Sequence, residues 1–310
     1  MPRVNRAIEA LEADRAIYYT GAHSGHVLTH AQGLADAATW ADYINIGMEH
    51  GAFDMAGLAA YMQGLVEGRT PSGHRTPAVI VELPVGGIDA AGVRNNAWQM
   101  RQILARGVHG LLLCQAEEAA AVRAFVEACR YPHQLAGVDP ALPSPMARLA
   151  GARVPPPHAG QLGLGQRGRG SESTAAPAWG VSAEDYMALA DPWPLNPLGE
   201  LLLGVKIESP EGVANCEAIL AVPGLGFAEL GPGDLSLSLG HVTMPRPYTA
   251  PMQAARARVF AACRANRLAF LESATPQTVT AAIAEGVRVI AGGDPATAAA
   301  GRAFQGVSST

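Results

Sequence analysis

Two acidic residues, Glu208 and Asp234, each follow a short apolar run and are candidate ligands for a metal ion. The run 201–207 ends at Glu208, and the run 226–230 leads into the turn 231–234, Gly-Pro-Gly-Asp. A helical segment separates the runs, so we predict parallel strands whose carboxyl ends lie on one side of a sheet. Two carboxylates at such an edge suit Mg²⁺, Mn²⁺ or another divalent cation. Each acid alone could equally cap a helix or complete a turn.

The chain uses lysine only once. Of its 22 basic residues, Lys206 is the sole lysine and all the others are arginine. Lys206 lies two residues before Glu208, so strand periodicity places both side chains on the same face. Because an ammonium group differs from a guanidinium in shape and can lose its proton, this exception indicates a position that arginine cannot fill.

The residues around the two acids resemble a known family. The stretches ESPEGV at 208–213, ILAVPG at 219–224 and GPGDLSLSLG at 231–240 are similar to class II, metal-dependent 2-oxo acid aldolases of the HpcH/HpaI and citrate lyase β-chain type. The resemblance implies a (β/α)8 TIM barrel of the phosphoenolpyruvate/pyruvate type and a divalent ion held by Glu208 and Asp234. It also implies a substrate-binding turn, Gly231-Pro232-Gly233-Asp234, whose last two N–H groups bind the carboxylate of a 2-oxo acid.

A second family motif, Gly47-Met48-Glu49-His50, ends the second predicted strand. The resemblance makes His50 the candidate acid–base, a role that suits imidazole near neutral pH, and Glu49 a group that orients ligands or metal-bound water. Relatives carry an acid where this chain has Gly47, so a partner that positions the histidine is missing. His50 could instead be a hydrogen-bonded loop residue.

Two further positions differ from the relatives. Glu82 stands where the family has an arginine that binds the 2-oxo group, and Lys206 stands where it has a glutamine. We expect Glu82 and Lys206 to pair, because neither charge is stable alone in a dry barrel mouth. Lys206 would then stabilise an enolate, act as a Schiff-base nucleophile, or form a purely structural pair. Glu272, at the end of a later strand, is an alternative partner for Lys206.

Apolar runs alternate with helical patterns eight times, which supports a single barrel domain over residues 1–310. The Pro- and Gly-rich stretch 133–164 is an insertion relative to the family, either a lid or an oligomer contact. A closing helix is predicted at 295–304. Arg167 follows the insertion and would bind an acidic group of the substrate or anchor the loop, and His23 lies in a Gly-rich loop where a ligand contact is one alternative.

Composition narrows the class of protein further. The net charge of −5 argues against nucleic acid or an anionic membrane as a partner. Without a leader pattern or an 18-residue apolar segment, a soluble cytoplasmic protein is expected. Four separated cysteines without a CxxC motif argue against a structural zinc site and against a disulfide framework.

Together these features predict a carbon–carbon lyase, an aldolase that cleaves or forms a hydroxylated 2-oxo acid through an enolate. Its partners would be a small 2-oxo acid such as pyruvate and an aldehyde, and its cofactor Mg²⁺ or Mn²⁺, with Co²⁺, Ni²⁺ or Zn²⁺ as alternatives. The resemblance also implies a homo-oligomer, a trimer or hexamer. Two other functions stay open: a lyase or decarboxylase acting on a non-pyruvyl or CoA-thioester substrate, and a non-catalytic homologue that binds metal and ligand.

Overall fold

The structure is a computed structural model that describes residues 2–291 and 294–307. Gly292 and Gly293, which follow the last predicted strand, and residues 308–310 lie outside the described residues. Within the described part, every strand pairs in parallel with its neighbours. The strands are β1 (Ile17–Ala22), β2 (Tyr43–Gly47), β3 (Ala78–Gly86), β4 (Gly110–Cys114), β5 (Pro192–Trp193), β6 (Leu201–Ile207), β7 (Phe227–Leu230), β8 (Ala269–Ser273) and β9 (Val287–Ala291).

The sheet closes into a barrel. Its order is β4-β3-β2-β1-β9-β8-β7-β6-β5, and an additional pairing joins β4 to β6. Eight strands therefore form the ring, and β5 is a two-residue strand that pairs with the start of β6. The predicted (β/α)8 TIM barrel is confirmed, whereas β5 was not predicted from the sequence.

Helices surround the barrel and connect its strands. Many of them begin at a residue whose side chain accepts a hydrogen bond from the first turn, for example Asp54, Asp89 and Ser209. The helices are α1 (Arg6–Glu12), α2 (His30–Asp36), α3 (Met55–Glu67), α4 (Ala90–Asn95), α5 (Ala97–Leu104), α6 (Ala119–Cys129), α7 (Pro145–Leu149), α8 (Glu172–Trp179), α9 (Ala183–Leu189), α10 (Pro210–Ala214), α11 (Cys216–Leu220), α12 (Pro232–Ser238), α13 (Ala250–Ala265), α14 (Val279–Glu285) and α15 (Pro295–Phe304). In the described residues, no helix is both long and apolar enough to cross a membrane.

The inside of the barrel is stacked in two layers. An apolar layer lies nearer the amino-terminal ends of the strands, where α1 packs against it. Gly204 leaves room for one member, Phe227, because a Cβ at residue 204 would lie 2.3 Å from the Phe227 ring. The apolar layer consists of Tyr19, Tyr43, Ile80, Leu112, Leu202, Phe227, Leu271 and Val289.

A polar layer lies above the apolar layer, towards the carboxyl ends of the strands. Each member comes two residues after an inward-facing residue of the same strand, so strand alternation directs it into the barrel as well. These side chains are almost fully buried. The polar layer consists of Asn45, Glu82, Lys206 and Glu229.

The insertion at 133–164 contains α7 and is held to the barrel by specific contacts. At the start of the insertion Gln134 Nε2 donates to the Ala190 carbonyl at 3.0 Å, and at its end the Gly163 N–H donates to Glu127 at 2.7 Å. Leu162 is fully buried. Just before the insertion, the buried Arg130 guanidinium binds Asp191 at 2.6 Å and donates to the Ala136 carbonyl. These contacts anchor both ends of the insertion.

Candidate active site

A cavity of about 480 Å³ opens at the carboxyl ends of the strands, the face where ligands bind in barrels of this kind. Its floor is the polar layer, and its walls come from the loops that follow β1, β2, β6 and β7. It is lined by His23, His50, Lys206, Glu208, Glu229, Gly231, Pro232, Gly233, Asp234, Ser236, Leu237, Val242, Met244, Arg246 and Ser273. The sequence-predicted residues Lys206, Glu208, His50 and the whole turn 231–234 thus meet at one cavity.

Lys206 is held by two carboxylates. Its Nζ donates to Glu49 Oε2 at 2.9 Å and to Glu82 Oε2 at 3.3 Å. All three side chains are almost fully buried. The predicted Lys206–Glu82 contact is therefore present, and Glu49, which reaches over from the loop after β2, is a second partner that the sequence did not indicate.

Glu82 also receives hydrogen bonds from His23 Nδ1 at 2.6 Å and from the Asn45 amide at 2.8 Å. The His23 loop explains the missing acid at Gly47, because a Cβ at residue 47 would lie 1.9 Å from the His23 carbonyl oxygen. The loop backbone fills the space that a side chain would need. Gly47, Glu82 and Lys206 are thus joined by one connected set of contacts centred on Glu82.

Charges in this network stabilise one another. Burial by itself would raise the pKa of Glu82, but the hydrogen bond from His23 and the Lys206 charge outweigh it and lower the pKa. The same hydrogen bond raises the pKa of His23. Burial opposes the charge on Lys206, yet the nearby Cys114, Glu82, Glu229 and Glu49 together raise its pKa. A lysine must lose its proton to act as a Schiff-base nucleophile. The two carboxylate partners keep Lys206 protonated, which disfavours the Schiff-base alternative.

Further acidic oxygens lie beside this network. Glu49 belongs to two groups whose donor atoms all lie within 4.8 Å of one another, one with His50 and Asp234 and one with Cys114 and Glu208. Burial raises the pKa of Glu208 to about 8, and Glu49 and Asp234 add to the shift against the opposing effects of Lys206 and the Gln115 N–H. The ionised forms of these acids therefore repel one another.

The donor set fits a divalent cation. Glu49 Oε1 is buried and has no hydrogen-bond partner among the described residues, so an oxygen lone pair is available. Burial raises the pKa of the Cys114 thiol well above its usual value, which keeps the sulfur protonated and leaves carboxylates as the main donors. Carboxylate oxygens are the ligands that Mg²⁺ and Mn²⁺ prefer. Glu208 and Asp234 would hold the ion, with Glu49 between them as a third candidate.

His50 stands at the entrance to the acidic site. Its Nε2 lies 3.5 Å from Glu49 Oε2 and 4.0 Å from Asp234 Oδ2, and half of its side chain is exposed. The imidazole can therefore reach both solvent and a molecule bound in the cavity. This position suits a group that passes protons between the two.

Other residues singled out in the sequence lie elsewhere. Arg167 is buried, with its guanidinium 4.3 Å from the centre of the Tyr131 ring and hydrogen-bonded to the Tyr186 hydroxyl at 3.0 Å. It does not line the cavity, so these contacts favour the anchoring alternative over substrate binding. Glu272 pairs with Arg256 at 2.5 Å rather than with Lys206.

Among the residues that line the cavity, sequence reasoning missed the two charged side chains Glu229 and Arg246. Glu229 is an acid in the middle of the apolar strand Phe-Ala-Glu-Leu, a signal of the same kind as the lone lysine. Arg246 lies in the loop after α12 and has no regular spacing to mark it. Nothing in the local sequence distinguishes Arg246 from the other arginines of the chain.

Comparison with known proteins places this geometry in a family. The family model of the HpcH/HpaI aldolase/citrate lyase family matches residues 89–297. A hydroxypyruvate/pyruvate aldolase from Chromohalobacter salexigens is 43% identical over 99 residues, 32% of this chain and 34% of the relative. Another, from Pseudomonas aeruginosa, is 29% identical over 200 residues, 64% of this chain and 54% of the relative.

The matches to these two relatives thus span about a third to just over half of their length. Among solved structures, an HpcH/HpaI aldolase/citrate lyase family protein from Burkholderia cenocepacia aligns with a TM-score of 0.65. The alignment covers 97% of this chain and 96% of that chain at 21% identity, a likeness that shows the fold. Because the family model matches more than half of the chain, including β4, β6, β7, β8 and β9, this chain belongs to the HpcH/HpaI aldolase/citrate lyase family.

Proposed function

We propose that the chain is a divalent-metal-dependent carbon–carbon lyase that cleaves or forms a hydroxylated 2-oxo acid through an enolate. The observation that carries the proposal is that Glu49 shares one cluster with Asp234 and another with Glu208, each within 4.8 Å, beside the buried Lys206. Three acids repel one another there, and a bound cation removes that repulsion while offering coordination sites to a substrate. The names of the relatives suggest pyruvate or hydroxypyruvate as the enolate-forming substrate.

A divalent ion bound by Glu208 and Asp234 would supply Lewis-acid polarisation of the 2-oxo oxygen. The chain's own groups then divide the remaining work. The Lys206 ammonium provides positive charge close to the developing enolate oxygen, in place of the arginine that the family carries at residue 82. Glu82 and Glu49 fix the position of that ammonium, because both bind it directly.

His50 moves the proton of the substrate's hydroxyl group from the side of the cavity mouth. Glu49 orients the imidazole, since its carboxylate lies between His50 and Lys206. The turn Gly231-Pro232-Gly233-Asp234 binds the substrate carboxylate with the N–H groups of its last two residues. A Cβ at Gly233 would meet no atom within 4 Å, so the space beside that N–H is open to a ligand.

The test is exchange of the methyl protons of pyruvate with D₂O, followed by NMR with and without Mg²⁺ or Mn²⁺. Enolate formation requires loss of a methyl proton, so metal-dependent exchange is the expected result and needs no knowledge of the aldehyde. Glu208→Gln should abolish exchange, whereas Glu272→Gln, which removes an acid outside the cavity, should not. Absence of exchange by the wild-type protein with metal bound would refute the proposal.

The trimer or hexamer implied by the resemblance stays a prediction. Several apolar side chains of the insertion are exposed, among them Met146 and Leu149 at 72% and 81%. Such side chains are a common feature of surfaces that become covered in an assembly. Light scattering on the purified protein measures the number of chains directly, and a monomeric mass would contradict the prediction.

A further inference from the structure

Glu229 is an acid buried inside the barrel, in the middle of β7. Only 7% of the residue is exposed, yet its side chain lines the cavity. In the strand register it lies directly opposite Lys206 of β6. The carboxyl group therefore faces the cavity floor beside the ammonium.

Glu229 lacks the partners that the other buried acids of the cavity have. Its Oε2 atom is buried and has no hydrogen-bond partner among the described residues. Glu82, in contrast, binds His23, Asn45 and Lys206. Burying a carboxyl group without partners costs free energy, so a side chain kept in this state points to a ligand that completes it.

The surroundings of Glu229 favour a proton-transferring group. Burial raises the pKa of Glu229 to about 7, with Glu82 and Glu49 adding to the shift and with Lys206 and His23 opposing it. A carboxyl group that is half protonated near neutral pH can both accept and donate a proton. A group that only balanced the Lys206 charge would not need this property.

The strand positions indicate which part of the substrate Glu229 faces. Glu229 comes two residues before Gly231, and Lys206 comes two residues before Glu208. Glu229 and Lys206 therefore lie one layer, about 7 Å, deeper in the barrel than the turn at Gly231 and the expected metal ligand Glu208. A small 2-oxo acid held above them by its carboxylate and its 2-oxo oxygen has one remaining end, carbon C3.

We propose that Glu229 is a catalytic acid–base that transfers the proton at C3 of the 2-oxo acid from inside the barrel. The proposal rests on the proposed lyase function. In enolate formation the Glu229 carboxylate accepts the C3 proton, the C3–H electron pair becomes the C2=C3 double bond, and the C2=O electron pair moves to oxygen. In the cleavage direction, breaking the C3–C4 bond leaves the enolate, and the protonated Glu229 carboxyl group gives its proton to C3. The C2=C3 electron pair forms the new C3–H bond, the oxygen electron pair restores C2=O, and the Glu229 carboxylate regains a proton from solvent.

This assignment separates two proton transfers that occur on opposite sides of the substrate. His50, half exposed at the mouth, serves the hydroxyl group on the carbon beyond C3. Glu229 serves C3 from the floor. The cavity therefore needs no single group to reach both positions.

The test compares Glu229→Gln with the wild-type protein in two measurements made with Mn²⁺. The first is proton–deuterium exchange at the pyruvate methyl group, which we expect to fall at least about 100-fold, the range for loss of a general acid–base. The second is the dissociation constant of oxalate, a planar dianion with the shape of the enolate, which we expect to change less than about threefold. Glutamine keeps the size of the side chain, and Glu272→Gln is the matched control.

Three results overturn the inference. Exchange that persists in Glu229→Gln while the wild-type protein exchanges would show that another group transfers the C3 proton. Parallel losses of exchange and oxalate affinity would show that Glu229 acts only through the charge of the site. Absence of exchange in the wild-type protein would refute the proposed lyase function and this inference with it, an outcome distinct from the first two.

Discussion

The apolar layer and the polar layer inside the barrel come from the same strands. β2 contributes Tyr43 and then Asn45, and β7 contributes Phe227 and then Glu229. The two layers are thus only two residues apart along each strand. The apolar layer consists of side chains in contact, whereas the polar layer is a network of polar and charged groups. The lower layer closes the barrel, and the upper layer forms the floor of the cavity.

The difference shows how the chain separates folding from chemistry. Burial of apolar side chains stabilises the barrel whatever lies above it. Buried charges contribute little or negative net stability, so their retention indicates a use. The two layers should therefore respond differently to substitution, the upper in activity and the lower in stability.

Lys206→Met should have the largest effect on activity. Loss of the Lys206 ammonium from the cavity floor should lower the rate of pyruvate proton exchange at least about 1000-fold. The melting temperature should fall only in part, because Glu82 loses one partner but keeps its hydrogen bonds from His23 and Asn45. Glu82→Gln should cost less, since Glu49 still holds the ammonium. Equal losses of folded protein in both variants would instead assign Lys206 a structural role.

Phe227→Ala tests the lower layer. The ring is fully buried and packs over Gly204, so we expect a cavity and a loss of about 3–5 kcal/mol in the free energy of unfolding. Urea denaturation at pH 7 measures it. If Phe227→Ala left stability unchanged and Lys206→Met lowered it, the assignment of stability to the apolar layer would be wrong.

Glu229→Gln should change how stability depends on pH. Burial raises the pKa of Glu229 to about 7, so the folded state favours the protonated acid. The stability that the folded state gains from the protonated acid is fully present below the unfolded pKa of about 4.5 and is lost as the pH rises through about 7. At pH 8 the variant should therefore be more stable than the wild type by about 3 kcal/mol, and at pH 4.5 the two should agree. If the difference in unfolding free energy between the two proteins stayed constant from pH 4.5 to 8, the raised pKa of Glu229 would be wrong.

His109→Gln tests a buried histidine below the cavity and should have the smallest effect. Burial lowers the pKa of His109 to about 3, and His74 adds to the shift. The folded state resists protonation, so stability is present above the unfolded pKa of about 6.5 and is lost as the pH falls towards 3. Between pH 7 and 5 the wild type should lose about 2 kcal/mol more than His109→Gln, which keeps an acceptor for the Val79 N–H. Equal losses in urea denaturation would be inconsistent with a buried neutral imidazole.

The sequence was sufficient for the barrel and for part of the cavity. Alternating apolar and helical segments predicted the eight strands of the ring, because buried parallel strands and amphipathic helices have different periods. The acids at Glu208 and Asp234 were identified from their places after strands. Lys206 was identified because it is the only lysine, and its pairing with Glu82 followed from the cost of an unpaired buried charge.

The rest depends on contacts between segments that are far apart in the chain. No local pattern shows that the His23 loop packs on Gly47, or that Glu49 reaches Lys206 across 157 positions. For Arg167 the sequence offered two roles and could not choose between them. An arginine after a loop has the same sequence context whether it binds a ligand or stacks on Tyr131. Long-range packing decides between such alternatives, and it enters only with the folded structure.

The most direct test of the account is a titration of the protein with Mn²⁺, following free Mn²⁺ by electron paramagnetic resonance. We expect one Mn²⁺ per chain. Binding should be weakened at least about tenfold in Glu208→Gln and in Asp234→Asn, and it should be unchanged in Glu272→Gln. Failure of the wild-type protein to bind Mn²⁺ at millimolar concentration, or equal binding by all the variants, would contradict a metal centre at Glu208 and Asp234.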